Sequence, residues 1–451
     1  MKKVFLLILP LLIGLTLKGQ ETLNMIYNWQ DSTLISSNTW GNVYNEIWGF
    51  VQDGKEYGVI GTTAGTHIFD LSDKSNIYEA AFIAGKYQGE FVIHRDYHDY
   101  NGYLYIVCDE GSSSLQILDL SGLPNTPLVV YDSDAHFQRA HNIFIDKEAG
   151  IMYKCGGEHQ LNLYSIADPA NPILIMNCAQ DLSWWNSVGY LHDIYVENGI
   201  AYCNAGGKGL FVVDFSNLSN PSLLGSLTQY PDQGYNHSGY LSPNGSTYVL
   251  ADETHGMDMK ILDVSDPSDI KVTSQINSNV NSLSVAHNQV IAGNTLYVAY
   301  YYDGVYVYDI TDPANAVLNA TYPTSKVAHR NSFEGAWGVY PLLPSGLLLA
   351  SDMQEGFFVF DNVVTNAETK TKIEETTIYP NPVDNFTIIN NNESFETAKL
   401  FSLDGKLIKT WNLKNGKNAL NFEKHNLSTG IFAVELSNNS FSKTIKLIKN
   451  K

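Results

Sequence analysis

The chain has 451 residues, a formal net charge of −20, only 16% charged residues and 28 Tyr. That length exceeds one ordinary domain, and the acidity argues against nucleic acid and anionic membrane as partners. A Tyr-rich, charge-poor composition points to β-structure rather than to a helical cytosolic fold.

The first segment, "MKKVFLLILPLLIGLTLKGQ", has two lysines, an apolar run and a polar end. This is the pattern of a secretory signal peptide over residues 1–20. Its apolar run is too short for a span, and no later stretch reaches membrane length, so no transmembrane segment is expected. No Cys follows the signal to carry a lipid. Next comes a lone strand-like stretch, "TLNMIYNWQ", at 22–30.

A repeated strand then dominates the chain: "GTHIFDLS", "SLQILDLS", "GLFVVDFS", "DMKILDVS", "GVYVYDIT" and "GFFVFDN". The copies align on Asp70, Asp119, Asp214, Asp263, Asp309 and Asp361, with Ser165 at the same place in a seventh, "QLNLYSIAD". Consecutive copies lie 46 to 52 residues apart. Each unit holds four short strands separated by turn signals, the spacing of an all-β repeat. Four strands in forty to fifty residues describe a β-propeller blade. The seventh unit stops after its third strand, so the stretch at 22–30 is expected to supply the missing outer strand and close the ring.

Beyond the seventh unit, "VVTNAETKTKIEET" reads as a polar linker. The motifs "IYPNPVDNFTI", "LFSLDGKLIK", "LSTGIFAVEL" and "KTIKLIK" then follow, short alternating strands with Pro380, Pro382 and Gly405 at turns. They describe a small β-sandwich. The expected domains are a signal peptide at 1–20, a seven-bladed propeller at 21–363, a linker at 364–376 and a C-terminal sandwich at 377–451.

These motifs carry a resemblance. The tandem L-x-I/V-V/L-D strands resemble LVIVD-repeat proteins, and the full arrangement resembles the choice-of-anchor B family. The tail is similar to the C-terminal sorting domain of the type IX secretion system of Bacteroidota. The resemblance implies handling by the type IX machinery and a secreted or outer-surface location. It implies no particular activity.

Chemistry is expected where the loops entering first strands meet the loops between second and third strands. Five first strands open with His98, His141, His192, His237 and His287, and two with Trp48 and Trp337. A channel mouth of five contiguous histidines and two tryptophans follows. Two readings stand. Imidazoles with Asp109, Glu110, Glu158, Asp252, Glu253, Asp303, Asp352 and Glu355 nearby, and with His159 and His255, could hold a divalent metal ion. Alternatively each His pins its blade.

The chain has three arginines, Arg95, Arg139 and Arg330, all beside this ring, and Arg suits bidentate binding of an anion. The same loops carry Trp40, Tyr44, Phe137, Trp184, Trp185, Tyr190 and Tyr235, which could stack on a glycan or a surface protein, or serve as cover. The four cysteines, Cys108, Cys155, Cys178 and Cys203, include three at like places in successive repeats, which need not approach bonding distance. No nucleophile elbow, His-Glu-x-x-His helix, phosphate loop or Asp-rich calcium loop occurs. The expected function is therefore a surface-displayed binding module for a glycan, peptide or other anionic ligand. A metal-dependent hydrolase or lyase on the same face is the alternative.

Overall fold

The computed structural model describes residues 21–361 apart from His159, and most of 377–449. The signal peptide, the linker and His159 lie outside the described residues. The chain divides into two compact units, parted between residues 366 and 367.

The larger unit is a seven-bladed propeller. Its inner strands are Tyr44–Gln52, Arg95–Tyr100, Asn142–Asp146, Asp193–Glu197, Asn236–Leu241, Ala286–Ala292 and Ala336–Tyr340. Each meets the next, and the seventh meets the first, so the circle closes. Blades one to five are four-stranded antiparallel sheets built from consecutive strands. The seventh has three strands of its own, and Asn24–Trp29 pairs antiparallel with Gly356–Asp361 as its fourth, as the sequence predicts. The short strand Glu21–Thr22 also lies parallel to the outer strand of blade six.

The repeated strand is buried on both faces because blades pack on both sides of it. Seven apolar clusters fill the seven blade interfaces, for example Tyr153, Leu163, Ile194, Val213 and Phe215 between blades three and four. The Asp that ends the strand turns the chain. Asp70, Asp119, Asp214, Asp263 and Asp309 each accept a hydrogen bond from the backbone N–H two residues on, at 2.8–3.0 Å. Several copies begin with Gly because the entry is left-handed: Gly209, Gly304 and Gly356 have φ of +90°, +92° and +88°. A Cβ there would stand 2.1–2.3 Å from an outer-strand carbonyl oxygen.

The cysteines do not share one place. Tyr105, Tyr153 and Tyr202 pair with equivalent inner-strand residues, so Cys108, Cys155 and Cys203 stand three, two and one residues beyond them. All four are buried and unbonded. Among its described residues the smaller unit has a three-stranded and a four-stranded sheet around one core that includes Ile389, Leu400, Leu420, Val434 and Leu447.

Trp29 anchors the closing strand, with its ring 5.8 Å from Tyr44, 4.7 Å from His67 and 5.0 Å from Phe69. Trp29→Ala is expected to lower unfolding stability by about 3 kcal/mol, measured by urea denaturation. A change below about 1 kcal/mol would mean that the strand does not lock the ring.

Candidate functional site

Inner strands start at the channel mouth and present alternate residues to the axis. Their first turns set the phase. A bulge follows Asn236, Ala286 and Ala336, where one residue is inserted before the ladder resumes. His237, His287 and Trp337 occupy these bulges and face the mouth. His141 and His192 sit just before their strands begin.

Blade two differs. Its ladder runs regularly from Arg95 to Tyr100, so the period-two face carries His94, Asp96 and His98. His94, not His98, therefore joins the ring. The centroids run His94–His141 4.2 Å, His141–His192 4.1 Å, His192–His237 4.0 Å, His237–His287 4.4 Å and His287–Trp337 4.3 Å, with Trp337–His94 closing at 5.6 Å. This corrects the expected ring: Trp48 also leaves it, because blade one has a bulge between Tyr44 and Ile47 and Trp48 lies beyond it.

Trp48 and His98 belong to a second ring deeper in the channel. In sequence it is a polar residue, one spacer and a large ring in nearly every inner strand: Glu46–Trp48, Asp96–His98, Asn142–Phe144, Asp193–Tyr195, Ser238–Tyr240 and, with no side chain at the first place, Gly338–Tyr340. Blade six breaks the pattern with Asn288 and Val290. Successive rings touch: Trp48–His98 at 4.6 Å, His98–Phe144 at 5.0 Å, Phe144–Tyr195 at 5.1 Å, Tyr195–Tyr240 at 4.7 Å and Tyr340–Trp48 at 5.0 Å.

This belt and the polar layer above it line a cavity of about 540 Å³. Its lining includes His98 of the belt and none of the imidazole ring. At its other end stand Lys147, Glu148, Glu197, Asn198 and Leu342, all exposed. The cavity therefore opens on the face opposite the one expected from sequence.

Three carboxyl groups sit in the polar layer. Glu46 Oε2 accepts from Asn288 Nδ2 at 2.9 Å and Trp337 Nε1 at 3.2 Å, tying blade one to six and seven. Asp96 Oδ2 accepts from Ile143 N at 2.6 Å, and Asp193 Oδ1 from Ile194 N at 2.6 Å. Burial pushes Glu46 and Asp193 up to about 7, and Asp96 well above its ordinary value. Burial holds the imidazoles neutral in the opposite sense: His94, His192 and His237 lie well below the ordinary value, His287 is lowered to about 3 and His98 to about 4. His141 differs: burial lowers it, and the Asp109 carboxylate, 2.8 Å from Nδ1, outweighs that and raises it.

Several expected ligand residues are used internally. Arg95 is 1% exposed and donates to the carbonyls of Thr62 at 2.8 Å and Tyr87 at 2.7 Å, so it serves the fold and faces no ligand. Trp185 is fully buried in the interface of blades three and four, and Trp337 is buried in the ring. Trp184 packs against Trp185 with its ring tilted, centroids 5.7 Å apart, and is half-buried. Arg139 lies 3.9 Å from Glu158, and Arg330 pairs with Glu334; both keep solvent-exposed surface. Of the facing-loop acids, Asp109, Glu110 and Glu253 touch the histidines. Asp252 pairs with buried Lys260 at 2.8 Å, Asp303 with Ser278 and His329, and Asp352 accepts from Thr324. His255 contacts the Ser332 carbonyl at 2.9 Å.

Comparison with known proteins agrees with the fold. Residues 377–450 match the secretion system C-terminal sorting domain, and residues 188–229 match the LVIVD repeat. The chain thus carries an LVIVD repeat within its propeller and a C-terminal sorting domain that indicates export by type IX secretion to the cell surface or beyond. No curated protein matches it. Among solved structures, the β-propeller domain of Cps50 (Swd1) from Myceliophteria thermophila is similar at a TM-score of 0.53 and 12% identity, covering 75% of this chain and 98% of that one. PorZ, a surface component of the type IX secretion system of Porphyromonas gingivalis, aligns at a TM-score of 0.46 and 12% identity over 94% of this chain. The chain spans 61% of the PorZ chain's length. Among the described residues no helix is long and apolar enough to cross a membrane.

The buried acids and imidazoles make stability depend on pH in opposite directions. A carboxyl raised to about 7 holds its proton in the fold while the unfolded chain has lost it, so its contribution is lost as pH rises from about 4 to 7. A lowered imidazole contributes the reverse, gaining stability up to the unfolded value of about 6.5. Above about pH 6.5 the lowered imidazoles no longer contribute, and the raised carboxyls act in the same direction as His141, whose raised value also costs stability as pH rises. In metal-free protein the melting temperature is expected to fall between pH 6.5 and 8, and Glu46→Gln to flatten that fall. A scanning-calorimetry series in which both proteins show the same slope would contradict the buried, protonated Glu46.

Proposed function

We propose that this type IX-exported LVIVD-repeat propeller is a binding module that receives an ammonium-bearing ligand in its central channel. The propeller occupies residues 21–363, the linker 364–376 and the sorting domain 377–451. The carrying observation is the cavity of about 540 Å³, open at one end and walled by six ring side chains beneath three carboxyl groups, the buried Glu46 and Asp96 and the half-buried Asp193.

A size of this order suits a small molecule or one long side chain. Electron-rich faces of Trp48, Phe144, Tyr195, Tyr240 and Tyr340 attract a cation, by about 2 kcal/mol per well-placed ring in a desolvated site. Glu46, Asp96 and Asp193 supply the complementary charge. Each can give up its proton when a cation arrives, which offsets the cost of an ionised carboxylate in a buried site. The ligand class is therefore a small organic cation, or the same ammonium group on a lysine side chain. This differs in sign from the anionic ligand the arginines suggest, because Arg95 is spent on backbone carbonyls while the carboxyls line the cavity.

The test is calorimetric titration of the secreted chain with benzyltrimethylammonium and with a neutral oligosaccharide at pH 7.5. The expected result is saturable binding of the cation at one site per chain, weakened about 10-fold or more by Tyr240→Ala, and weaker again at pH 6. Binding of the sugar alone, or cation binding indifferent to Tyr240→Ala, would overturn the reading.

A further inference from the structure

At the opposite end of the channel, the imidazole ring has a feature that packing alone leaves unexplained. His192 Nδ1 lies 3.0 Å from the His237 carbonyl oxygen, and His287 Nδ1 lies 2.5 Å from that of Trp337. A carbonyl only accepts, so in both residues Nδ1 carries the proton and Nε2 keeps its lone pair. The same tautomer is favoured in His141 by Asp109. An imidazole fixed through Nδ1–H, with Nε2 unprotonated, is oriented as metal-binding histidines are oriented by their outer partners.

His237 is 4% exposed and stands beside Glu253. Its Nε2 lies 3.8 Å from Glu253 Oε2. That gap is too long for a hydrogen bond. It is close to the separation of about 3.3 Å between two ligands bound 2.0–2.1 Å from one tetrahedral ion. One ligand atom each from His192, His237 and Glu253 lie within 4.8 Å of one another. Tyr301 donates its hydroxyl proton to the other oxygen, Glu253 Oε1, at 2.6 Å, and so orients the carboxyl group.

We propose that His192, His237 and Glu253 form a site for one divalent transition-metal ion at the histidine end of the channel. Two imidazole nitrogens and one carboxylate oxygen are the donor set that zinc and its neighbours prefer over calcium or magnesium. Three protein ligands leave a fourth position for water or a donor from a bound molecule. A metal ion takes carboxylate and neutral imidazole ligands, so affinity rises with pH. The proposal does not rest on the ammonium reading, because neither His192, His237 nor Glu253 lines the large cavity.

The test uses the full secreted chain, stripped with chelator and titrated with zinc chloride, with heat and melting temperature both recorded. Wild type is expected to bind one equivalent with a dissociation constant near or below 1 μM (~10⁻⁶ M), and zinc is expected to raise its melting temperature. His192→Ala and His237→Ala should each weaken binding about 100-fold, and Glu253→Gln about 10-fold. Glu253→Gln preserves shape, so it decides the matter if either alanine variant melts early without metal. Tyr240→Ala should leave zinc binding unchanged, which separates failure of this site from failure of the ammonium site. No zinc binding by wild type, or the same affinity in wild type and Glu253→Gln together with an unchanged zinc-induced melting shift, would overturn the proposal.

Discussion

Everything in this molecule depends on a circle of seven inner strands that has to close. Each sheet covers its neighbours on both sides, so an open seventh blade would leave two apolar faces and an unpaired edge in water. The chain meets this constraint by giving Asn24–Trp29 to the blade that ends at Asp361. Once the circle is shut, the inner strands bring side chains together at successive levels of the axis. The imidazole ring, the carboxyl layer and the aromatic belt are three consecutive levels of that stack. Their electrostatics follow from the closure: carboxyls hold protons and imidazoles lose them because neighbouring blades keep water away.

The fold was legible because it is written seven times. The Asp-terminated strand, the left-handed Gly before it and the turn after it each have a local cause, and a local cause repeats with the sequence. The missing fourth strand of blade seven could be counted, and so could the spare strand at the N-terminus. The sorting domain was legible from several ordered motifs rather than from any one residue.

The site was harder to read because it depends on phase. Matching blades by the letters His-Asp placed His98 with His192. A bulge inserts one residue in blades five, six and seven, and blade two lacks it. The equivalent of His192 is therefore His94, four residues earlier than His98. Burial was invisible for a similar reason. Arg95 and Trp185 have the composition of a binding surface, yet Arg95 reaches back to two carbonyls of its own fold and Trp185 fills a blade interface. The polar–x–aromatic pattern of the inner strands was the available signal for the channel, and it becomes visible only when the blades are registered on their second strands.

The partner chosen for the closing strand also sets how the propeller bears load. Gly356–Asp361 is the last strand before the chain leaves for the C-terminal unit, and it is held on one side by Leu348–Asp352 and on the other by Asn24–Trp29. A pull applied at Asp361 along the strand acts at right angles to its ladder hydrogen bonds. Two ladders are then loaded in shear, and their bonds resist together instead of parting one at a time. A propeller whose last strand lay at an open edge would peel from that edge. Here, tension on the tail is met by the first residues of the folded chain.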